Sequence, residues 1–130
     1  MQKKKVLLVD DDRDIVDAIA FVLKQAGYDV EVAYDGQQGL EKVAANKPNI
    51  IVLDVMMPVL NGYETCKKLK ASQETRDIPV IMLTAVASMV TSTQFSHRDM
   101  MESDAEDYMP KPVDPKLLME RIEKLTLAET

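Results

Sequence analysis

The chain has 130 residues, 46% of them hydrophobic, which is enough for one domain with its own core. Its net charge of −6 argues against a nucleic-acid-binding surface on this domain. No apolar run approaches the roughly 18–20 residues of a membrane span. The basic run Lys3–Lys5 and the apolar residues after it are too short for a signal peptide. Because Cys66 has no internal disulfide partner, we expect a cytoplasmic protein.

The first predicted strand, Val6–Val9, is an unbroken apolar run that is followed by three acids, Asp10–Asp12. Such runs are typical of strands that are covered on both faces in a parallel sheet. A helix is predicted next, capped by Asp12 or Asp14 and ended by Gly27. Its apolar residues recur at spacings of three and four: Ile15, Ile19, Val22, Leu23 and Ala26.

The second predicted strand, residues 28–33, alternates between polar and apolar types. This pattern predicts an edge strand with one face in water. Asp35-Gly36 then turns the chain into a short helix that ends before Lys47-Pro48. The apolar residues of this helix are Leu40, Val43 and Ala44.

The third predicted strand ends on Asp54, after the apolar run Ile50–Leu53. A carboxylate in this position lies where open α/β sheets keep their ligand crevice. We therefore take Asp54 as a candidate phosphoryl acceptor. The loop after it runs through Pro58 to the turn signal Asn61-Gly62. A third helix follows, outlined by Tyr63, Cys66, Leu69 and Lys70.

Two more strands and a helix are predicted in the last third of the chain. Pro79–Thr84 is apolar and ends on a hydroxyl, and a short strand is predicted at Glu106–Met109. Residues 85–105 carry a weaker helical pattern. Asp114 is the predicted cap of the last helix, with Pro115 at its first position. The residues of this helix that are predicted to face the core are Leu117, Leu118, Ile122 and Leu125.

Strands at about residues 6, 28, 50, 79 and 106, with helices between them, make five βα units. Right-handed crossovers then place helices on both faces of a parallel sheet. We predict an α/β, doubly wound, flavodoxin-like (βα)5 fold with a five-stranded parallel sheet of order 2-1-3-4-5. This order puts the alternating second strand at an edge, as its pattern requires.

Four predicted strands end on residues that carry chemistry. They are Asp10 and Asp11, Asp54, Thr84 and Lys111. Because the carboxyl ends of parallel strands meet at one edge of the sheet, we expect these side chains to lie together. Three neighbouring carboxylates repel one another, and Mg²⁺ (or Mn²⁺ in its place) relieves that repulsion. The predicted metal ligands are Asp10, Asp11, Asp54 and the backbone carbonyl of Met56.

Asp54 is the predicted nucleophile of this constellation. Carboxylates attack phosphoryl groups, and the ionised form needs no general base. Phosphoryl transfer depends on positioning and on charge neutralisation. Lys111 supplies an ammonium for this purpose, and the Thr84 hydroxyl can donate to the arriving oxygens. The single histidine, His97, lies far from these motifs in the sequence.

Four motifs stand in a fixed order along the chain. They are Val9-Asp10-Asp11, Asp54-x-Met56-Met57-Pro58-x-x-Asn61-Gly62, Leu83-Thr84-Ala85 and Tyr108-x-x-Lys111-Pro112. Together they resemble the receiver domains of two-component response regulators. The resemblance extends from about residue 4 to 126, so we expect residues 1–130 to form a single receiver domain with no effector domain. It implies a phosphorylation-activated signalling switch that catalyses only its own phosphorylation and dephosphorylation, and is therefore not an enzyme.

The resemblance implies a role for each residue that matches a motif. Asp10 and Asp11 would bind Mg²⁺, Asp54 would be phosphorylated, and Lys111 would contact the phosphoryl group. A cis peptide bond would precede Pro112. The phosphoryl donor would be a sensor histidine kinase, a histidine phosphotransfer protein or a small acyl phosphate.

The implied switch residues are Thr84 and Tyr108. Phosphorylation would draw Thr84 toward the phosphoryl group, and Tyr108 would turn inward into the space it leaves. This movement would change the face formed by the fourth helix, the fifth strand and the fifth helix. That face would bind a downstream protein or a fused effector, neither of which the sequence identifies. A homodimer that forms on phosphorylation is also compatible with such a face.

Two departures from the family pattern concern the segment before the last strand. Residues 85–107 are roughly five longer than expected, and Glu102-Ser103-Asp104-Ala105 replaces the usual turn of small residues.

A further hypothesis concerns Met56 and Val86, which lie two residues beyond Asp54 and Thr84. If these apolar residues flank the phosphoryl group, they hinder an attacking water, so self-dephosphorylation should be slow.

Two other functions remain as alternatives. A haloacid-dehalogenase-like phosphatase would use Asp10 as nucleophile and Asp12 as acid, but Arg13-Asp14 follows where such enzymes carry Thr or Val. A receiver that has lost phosphorylation would act as an interaction module. The presence of every residue that the chemistry requires argues against that second alternative.

Overall fold

A five-stranded sheet with helices on both faces makes up the computed structural model, which describes residues 3–57, 60–85 and 104–127. The strands are β1 (Lys5–Val9), β2 (Asp29–Ala33), β3 (Ile50–Asp54), β4 (Val80–Ala85) and β5 (Asp107–Lys111). The helices of the described residues are α1 (Arg13–Gln25), α2 (Gly36–Ala45), α3 (Gly62–Ala71) and the C-terminal helix (Pro115–Thr126). None of them is long and apolar enough to cross a bilayer.

All four strand pairs are parallel, and the order is β2-β1-β3-β4-β5. The predicted doubly wound fold is therefore confirmed, with the alternating strand β2 at an edge. The fifth strand begins one residue later than predicted and continues to Lys111. It includes Pro110, which an edge strand tolerates because the missing N–H costs no pairing on the outer side. The predictions for Val86 and His97 lie outside the described residues.

Side chains of the central strands alternate between two separate cores. In β1, Val6 and Leu8 belong to one core, and Leu7 and Val9 belong to the other. The first core is covered by α1 and the C-terminal helix, and the second by α2 and α3. Successive residues of a strand point to opposite faces, so an unbroken apolar run supplies both cores at once.

Four apolar residues of the predicted helical patterns are exposed, with Ala26 and Ala44 among them. Ile15 in α1 is 37% exposed, and Leu117 in the C-terminal helix is 36% exposed. In each helix the next residue along the chain, Val16 or Leu118, is buried instead. Successive residues of a helix are 100° apart, so one of each adjacent pair faces the sheet and the other turns away.

Acidic or amide side chains cap the helices that begin at the carboxyl ends of the strands. Asp12, rather than Asp14, caps α1, because its Oδ1 accepts a hydrogen bond from Ile15 N at 3.3 Å. Asn61 and Glu64 form a capping box at the start of α3. Asp114 caps the C-terminal helix with Pro115 at its first position, as predicted. These caps fix where each loop ends and its helix begins.

Candidate functional site

The carboxyl ends of β1, β3, β4 and β5 meet along one edge of the sheet, which we call the carboxyl edge. Asp10 directly follows β1, and Asp54 is the last residue of β3. Thr84 lies near the end of β4, and Lys111 is the last residue of β5. The strand register puts Val9 beside Leu53, Asp54 beside Leu83 and Ala85 beside Lys111. The sheet thus brings together the residues that the sequence placed at its strand ends.

Three carboxylates converge at this edge. Oxygen atoms of Asp10, Asp11 and Asp54 all lie within 4.8 Å of one another. Asp10 and Asp54 are each 3% exposed, whereas Asp11 is open to solvent. Two acids of the group are therefore buried and the third is exposed, so the group is accessible from solution.

Lys111 links the two buried acids. Its Nζ donates to Asp10 Oδ2 at 3.1 Å and to Asp54 Oδ1 at 3.3 Å. The Lys111 side chain is 20% exposed, so its ammonium is partly shielded from water. The peptide bond between Lys111 and Pro112 is cis, as predicted. A single ammonium thus serves two buried carboxylates, and Asp11 adds a third negative charge.

The charges at this edge are not balanced. Burial raises the pKa of Asp54 to about 7, and the negative charge of Asp10 adds to the rise. The charge and hydrogen bond of Lys111 act in the opposite direction but do not cancel it. Burial alone would lower the pKa of Lys111, yet the two carboxylates outweigh it and raise that pKa. The ammonium therefore stays charged, and Asp54 remains short of positive charge.

Gly62 allows α3 to begin directly beneath the Asp54 backbone. A Cβ atom on Gly62 would lie 2.3 Å from the Asp54 carbonyl oxygen and 2.8 Å from Val55 Cα, both impossible contacts. Gly62 N also donates to Val55 O at 2.9 Å. The sequence marked Asn61-Gly62 as a turn, but the structure shows that the glycine is required for close approach. Its absent side chain lets the helix support the strand end that carries Asp54.

The two predicted switch residues lie on adjacent strands. Thr84 is 1% exposed, and its Oγ1 forms no hydrogen bond within the described part of the chain. Buried hydroxyls are nearly always hydrogen-bonded, so a lone one suggests a role beyond packing. Tyr108 is half-buried and packs against the core beneath α2 and α3. The structure therefore gives Thr84 a spare donor near the acidic group.

Of the remaining predicted positions, the structure describes Met56 but not Val86. Met56 is 41% exposed, and its carbonyl accepts no hydrogen bond from the described residues. It lies two residues beyond Asp54, so the carbonyl stays a predicted ligand. The slow-dephosphorylation hypothesis also needs Val86, which lies outside the described residues. It stays a prediction as well.

One contact at the start of α1 was not predicted from the sequence. The guanidinium carbon of Arg13 lies 3.9 Å from the centroid of the Tyr34 ring. Arg13 comes two residues after Asp11, and Tyr34 follows the last residue of β2. A basic residue directly after three acids was the available signal, but its pairing with a ring just beyond β2 is visible only in three dimensions.

The chain matches a known family over most of its length. The family model of the response regulator receiver domain matches residues 6–123. The alkaline phosphatase synthesis transcriptional regulatory protein PhoP of Bacillus subtilis is 40% identical over 122 residues. That match covers 94% of this chain and 48% of the relative. The chain therefore spans about half the length of the curated relatives that it matches.

Solved structures show the same similarity. The receiver domain of a Francisella response regulator has a TM-score of 0.83 and 32% identity, covering 98% of this chain and 100% of that one. The receiver domain of a sensor histidine kinase from Pseudomonas aeruginosa PAO1 has a TM-score of 0.84 and 26% identity, covering 96% and 98%. That structure has a magnesium ion coordinated in its active-site cleft. By its motifs, its fold and these matches, the chain belongs to the receiver domains of two-component response regulators.

Proposed function

We propose that this receiver domain accepts a phosphoryl group on Asp54. The observation that carries the proposal is the position of Asp54 on the carboxyl edge. Its carboxylate is buried, lies within 4.8 Å of two further acids, and receives a hydrogen bond from Lys111 at 3.3 Å. A buried acid with so few compensating charges is costly to a fold, and such positions concentrate at functional sites.

The transfer requires few chemical groups. A carboxylate oxygen of Asp54 attacks phosphorus, so a new P–O bond forms as the bond from phosphorus to the donor breaks. The electron pair of the broken bond leaves with the donor group. Lys111 Nζ is placed to neutralise charge on the phosphoryl oxygens once they lie between it and Asp54. The attacking species is the ionised carboxylate, which a bound cation would favour by offsetting the negative charge of Asp10, so no general base is needed.

The donor set fits Mg²⁺. Carboxylate oxygens of Asp10, Asp11 and Asp54 would hold the ion, with the Met56 carbonyl as a further ligand. Oxygen-only ligands suit a hard cation, and Mn²⁺ shares that preference. When bound, the ion would neutralise the carboxylates and the phosphoryl oxygens that one ammonium leaves uncompensated. The magnesium ion in the Pseudomonas aeruginosa receiver domain supports this assignment.

Thr84 and Tyr108 are the proposed relay from the site to the surface. The Thr84 hydroxyl is buried and unpartnered among the described residues, so a phosphoryl oxygen would give it an acceptor. Tyr108 lies in the neighbouring strand, beside Met82 in the register. Movement of Thr84 toward the phosphoryl group would open space for the Tyr108 ring. The surface that changes would include β5 and the C-terminal helix.

The proposed partners follow from this chemistry. A sensor histidine kinase or a histidine phosphotransfer protein would supply the phosphoryl group in the cytoplasm. The similar curated proteins include transcriptional regulators, and the chain spans about half of their length. A downstream protein, a fused effector or a second copy of the chain would therefore read the changed surface.

The haloacid-dehalogenase-like alternative is not favoured. It requires Asp12 as a catalytic acid, but the Asp12 carboxylate is engaged as the cap of α1. The matched family is also a different one.

Intact-mass spectrometry after incubation with Mg²⁺ and acetyl phosphate tests the proposal. We expect the mass of one phosphoryl group to be added, and we expect Asp54→Asn to prevent the addition. Asp12→Asn is the matched control, because it removes an acid of the same loop that is outside the proposed ligand set. Addition that persists in Asp54→Asn would contradict the proposal, and continuous release of phosphate would favour a phosphatase. Thr84→Ala should still be phosphorylated but should weaken the response of a partner.

A further inference from the structure

The loop between β1 and α1 is attached to the end of β2 at two points. On one side, Asp10 N donates to Ala33 O at 3.1 Å. On the other side, the Arg13 guanidinium stacks over the Tyr34 ring at 3.9 Å. Asp11 lies between these two attachments. Ala33 and Tyr34 are adjacent in the sequence, so both contacts hold the loop to the same short segment.

Asp11 has no restraint of its own among the described residues. Its side chain is exposed, and no hydrogen bond or ion pair joins it to another described residue. Asp10 differs, because its two oxygens are used by Lys111 Nζ and by Asp12 N. The position of the Asp11 carboxylate therefore depends on the backbone on either side of it.

Arg13 has an unusual environment for a residue that follows three acids. Within the described part of the chain no carboxylate forms an ion pair with it, and its guanidinium lies on a neutral ring instead. Tyr34 is a firm support, because it packs against the core under α1 and its N–H donates to Gln38 Oε1 at 3.0 Å. The stacking thus connects the first residue of α1 to the residue that directly follows β2.

We propose that Arg13 is a positioning residue for the metal site, and that its stacking on Tyr34 holds Asp11 where its carboxylate converges with those of Asp10 and Asp54. This proposal rests on the proposed function, because it takes the three acids as the metal ligands. A cation–π contact at an exposed site corresponds to a factor of about two to five in an equilibrium constant. Loss of the stacking should weaken Mg²⁺ binding by a factor in that range.

Isothermal titration of the whole chain with Mg²⁺ measures this effect directly. Tyr34→Leu removes the aromatic face but keeps an apolar side chain, and Tyr34→Phe keeps the face and removes the hydroxyl. Neither substitution changes the net charge. We expect Tyr34→Leu to raise the dissociation constant about two- to fivefold, and Tyr34→Phe to leave it unchanged.

A double-mutant cycle separates positioning from charge. Arg13→Ala removes a positive charge near the acids, which by itself favours Mg²⁺, so the single variant mixes two opposite effects. The effect of Tyr34→Leu should disappear in the Arg13→Ala background, because the stacking is already lost there. Arg13→Lys keeps the charge but not the planar guanidinium, and should weaken Mg²⁺ binding about twofold. Since Arg13 is exposed, Arg13→Lys carries the test even if Tyr34→Leu does not fold.

Several results would overturn the proposal. One is wild-type Mg²⁺ affinity in both Tyr34→Leu and Arg13→Lys. Another is an equal effect of Tyr34→Leu in the Arg13 and Arg13→Ala backgrounds. A lower unfolding free energy without Mg²⁺, at unchanged Mg²⁺ affinity, would make the stacking merely structural and would also overturn it. Mg²⁺ binding by the wild type that Asp54→Asn does not weaken would instead refute the proposed function itself.

Discussion

The two edges of the sheet use the same kinds of side chain in opposite ways. At the amino edge, where the strands begin, Lys70 Nζ donates to both oxygens of Glu106 at 2.9 Å. Glu106 Oε1 also accepts a hydrogen bond from Val80 N at 2.7 Å. The Lys70 side chain is 9% exposed and that of Glu106 is 35% exposed, so the ammonium is largely shielded from water and the carboxylate is shielded in part.

A second acid of the amino edge is satisfied in the same way. Glu123 Oε2 pairs with Lys4 Nζ at 2.9 Å, and Glu123 Oε1 accepts a hydrogen bond from the Tyr28 hydroxyl. Each of these two acids has its own lysine and a further donor. At the carboxyl edge, Asp10 and Asp54 share one lysine, Asp11 adds a third negative charge, and Thr84 Oγ1 has no partner among the described residues. The fold is therefore stabilised by satisfied ion pairs at the amino edge, whereas the carboxyl edge keeps unmet interactions for a ligand.

Among the substitutions that test this difference between the edges, Lys70→Met should change the free energy of unfolding most, because it breaks the ion pair between Lys70 and Glu106. The substitution leaves Glu106 without its ammonium and removes the donor to the carbonyls of Arg76 and Ile78. We expect the free energy of unfolding to fall by about 2–4 kcal/mol, since a partly buried carboxylate loses its partner. Urea denaturation measures the change.

A matched control uses the exposed Lys68 on the same helix. Lys68→Met should change the free energy of unfolding by less than about 0.5 kcal/mol. Adding Glu106→Gln to Lys70→Met should recover part of the loss, because the uncompensated charge is then gone. If Lys70→Met and Lys68→Met are equally stable, the amino edge does not stabilise the fold as described.

Asp54→Asn should act in the opposite direction and stabilise the protein without Mg²⁺. The substitution removes one of three neighbouring acids that are opposed by a single ammonium, so we expect the free energy of unfolding to rise by about 1–3 kcal/mol near pH 8. Asp54 is 3% exposed, so solvent screening does little to reduce the effect. Millimolar Mg²⁺ should stabilise the wild type and leave Asp54→Asn nearly unchanged.

The stability difference between Asp54→Asn and the wild type should change with pH in a definite direction. The pKa of Asp54 rises from 3.8 to about 7 on folding, so the folded state binds this proton more tightly than the unfolded state. The stabilisation from Asp54 is therefore full below pH 3.8 and is lost as the pH rises to about 7. The gain from Asp54→Asn should grow across that interval. A difference that does not vary with pH would mean that the charges of the carboxyl edge are already balanced.

Tyr28→Phe should have a smaller effect at the amino edge. It removes the hydrogen bond to Glu123, whose side chain is 54% exposed, so we expect a loss of about 0.5–1 kcal/mol at neutral pH. Burial raises the pKa of Tyr28, so its stabilisation is full below pH 10.0 and is lost at higher pH. The stability difference between wild type and Tyr28→Phe should therefore shrink above pH 10.0. Thermal unfolding at pH 7 and at pH 10.5 gives both values.

The smallest effect is expected at Asp104, which precedes β5 with a φ of +59°. Glycine adopts this left-handed conformation without a Cβ clash, and alanine does not. Asp104→Gly should be as stable as wild type or more stable by up to about 0.5 kcal/mol, and Asp104→Ala should be less stable by about 1 kcal/mol. The order of melting temperatures checks this. An alanine variant that equals the glycine variant would show that the backbone relaxes there.

The sheet and most of the site could be predicted from the sequence because both depend on local patterns. The unbroken run Ile50–Leu53 indicated a strand covered on both faces, and residues 28–33 indicated an edge strand. The acids, the hydroxyl and Lys111 were then brought together by the geometry of parallel strands alone. The cap at Asp114 and the cis bond before Pro112 also follow from local rules and from the family motif.

The features that could not be predicted depend on contacts between distant segments. The choice between Ile15 and Val16 as the buried residue depends on how α1 rotates on the sheet. The stacking of Arg13 on Tyr34 joins two segments that no local pattern relates. The close approach of Gly62 to Asp54 depends on where α3 lies beneath β3, so the sequence shows a glycine but not the distance.

Because the interior is divided into two cores, adjacent residues of one strand can contribute to stability independently. Leu7 and Leu8 are adjacent and chemically identical, yet they contact different helices because the sheet lies between their cores. Truncation of either one should therefore leave the effect of truncating the other nearly unchanged, although close residues usually show coupled effects. The acid group reaches α1 and the C-terminal helix by another route, because the loop that carries Asp10 and Asp11 leads into α1 and the loop after Lys111 leads into the C-terminal helix. The sheet acts as a partition, and the loops at its carboxyl edge are where the two compartments meet.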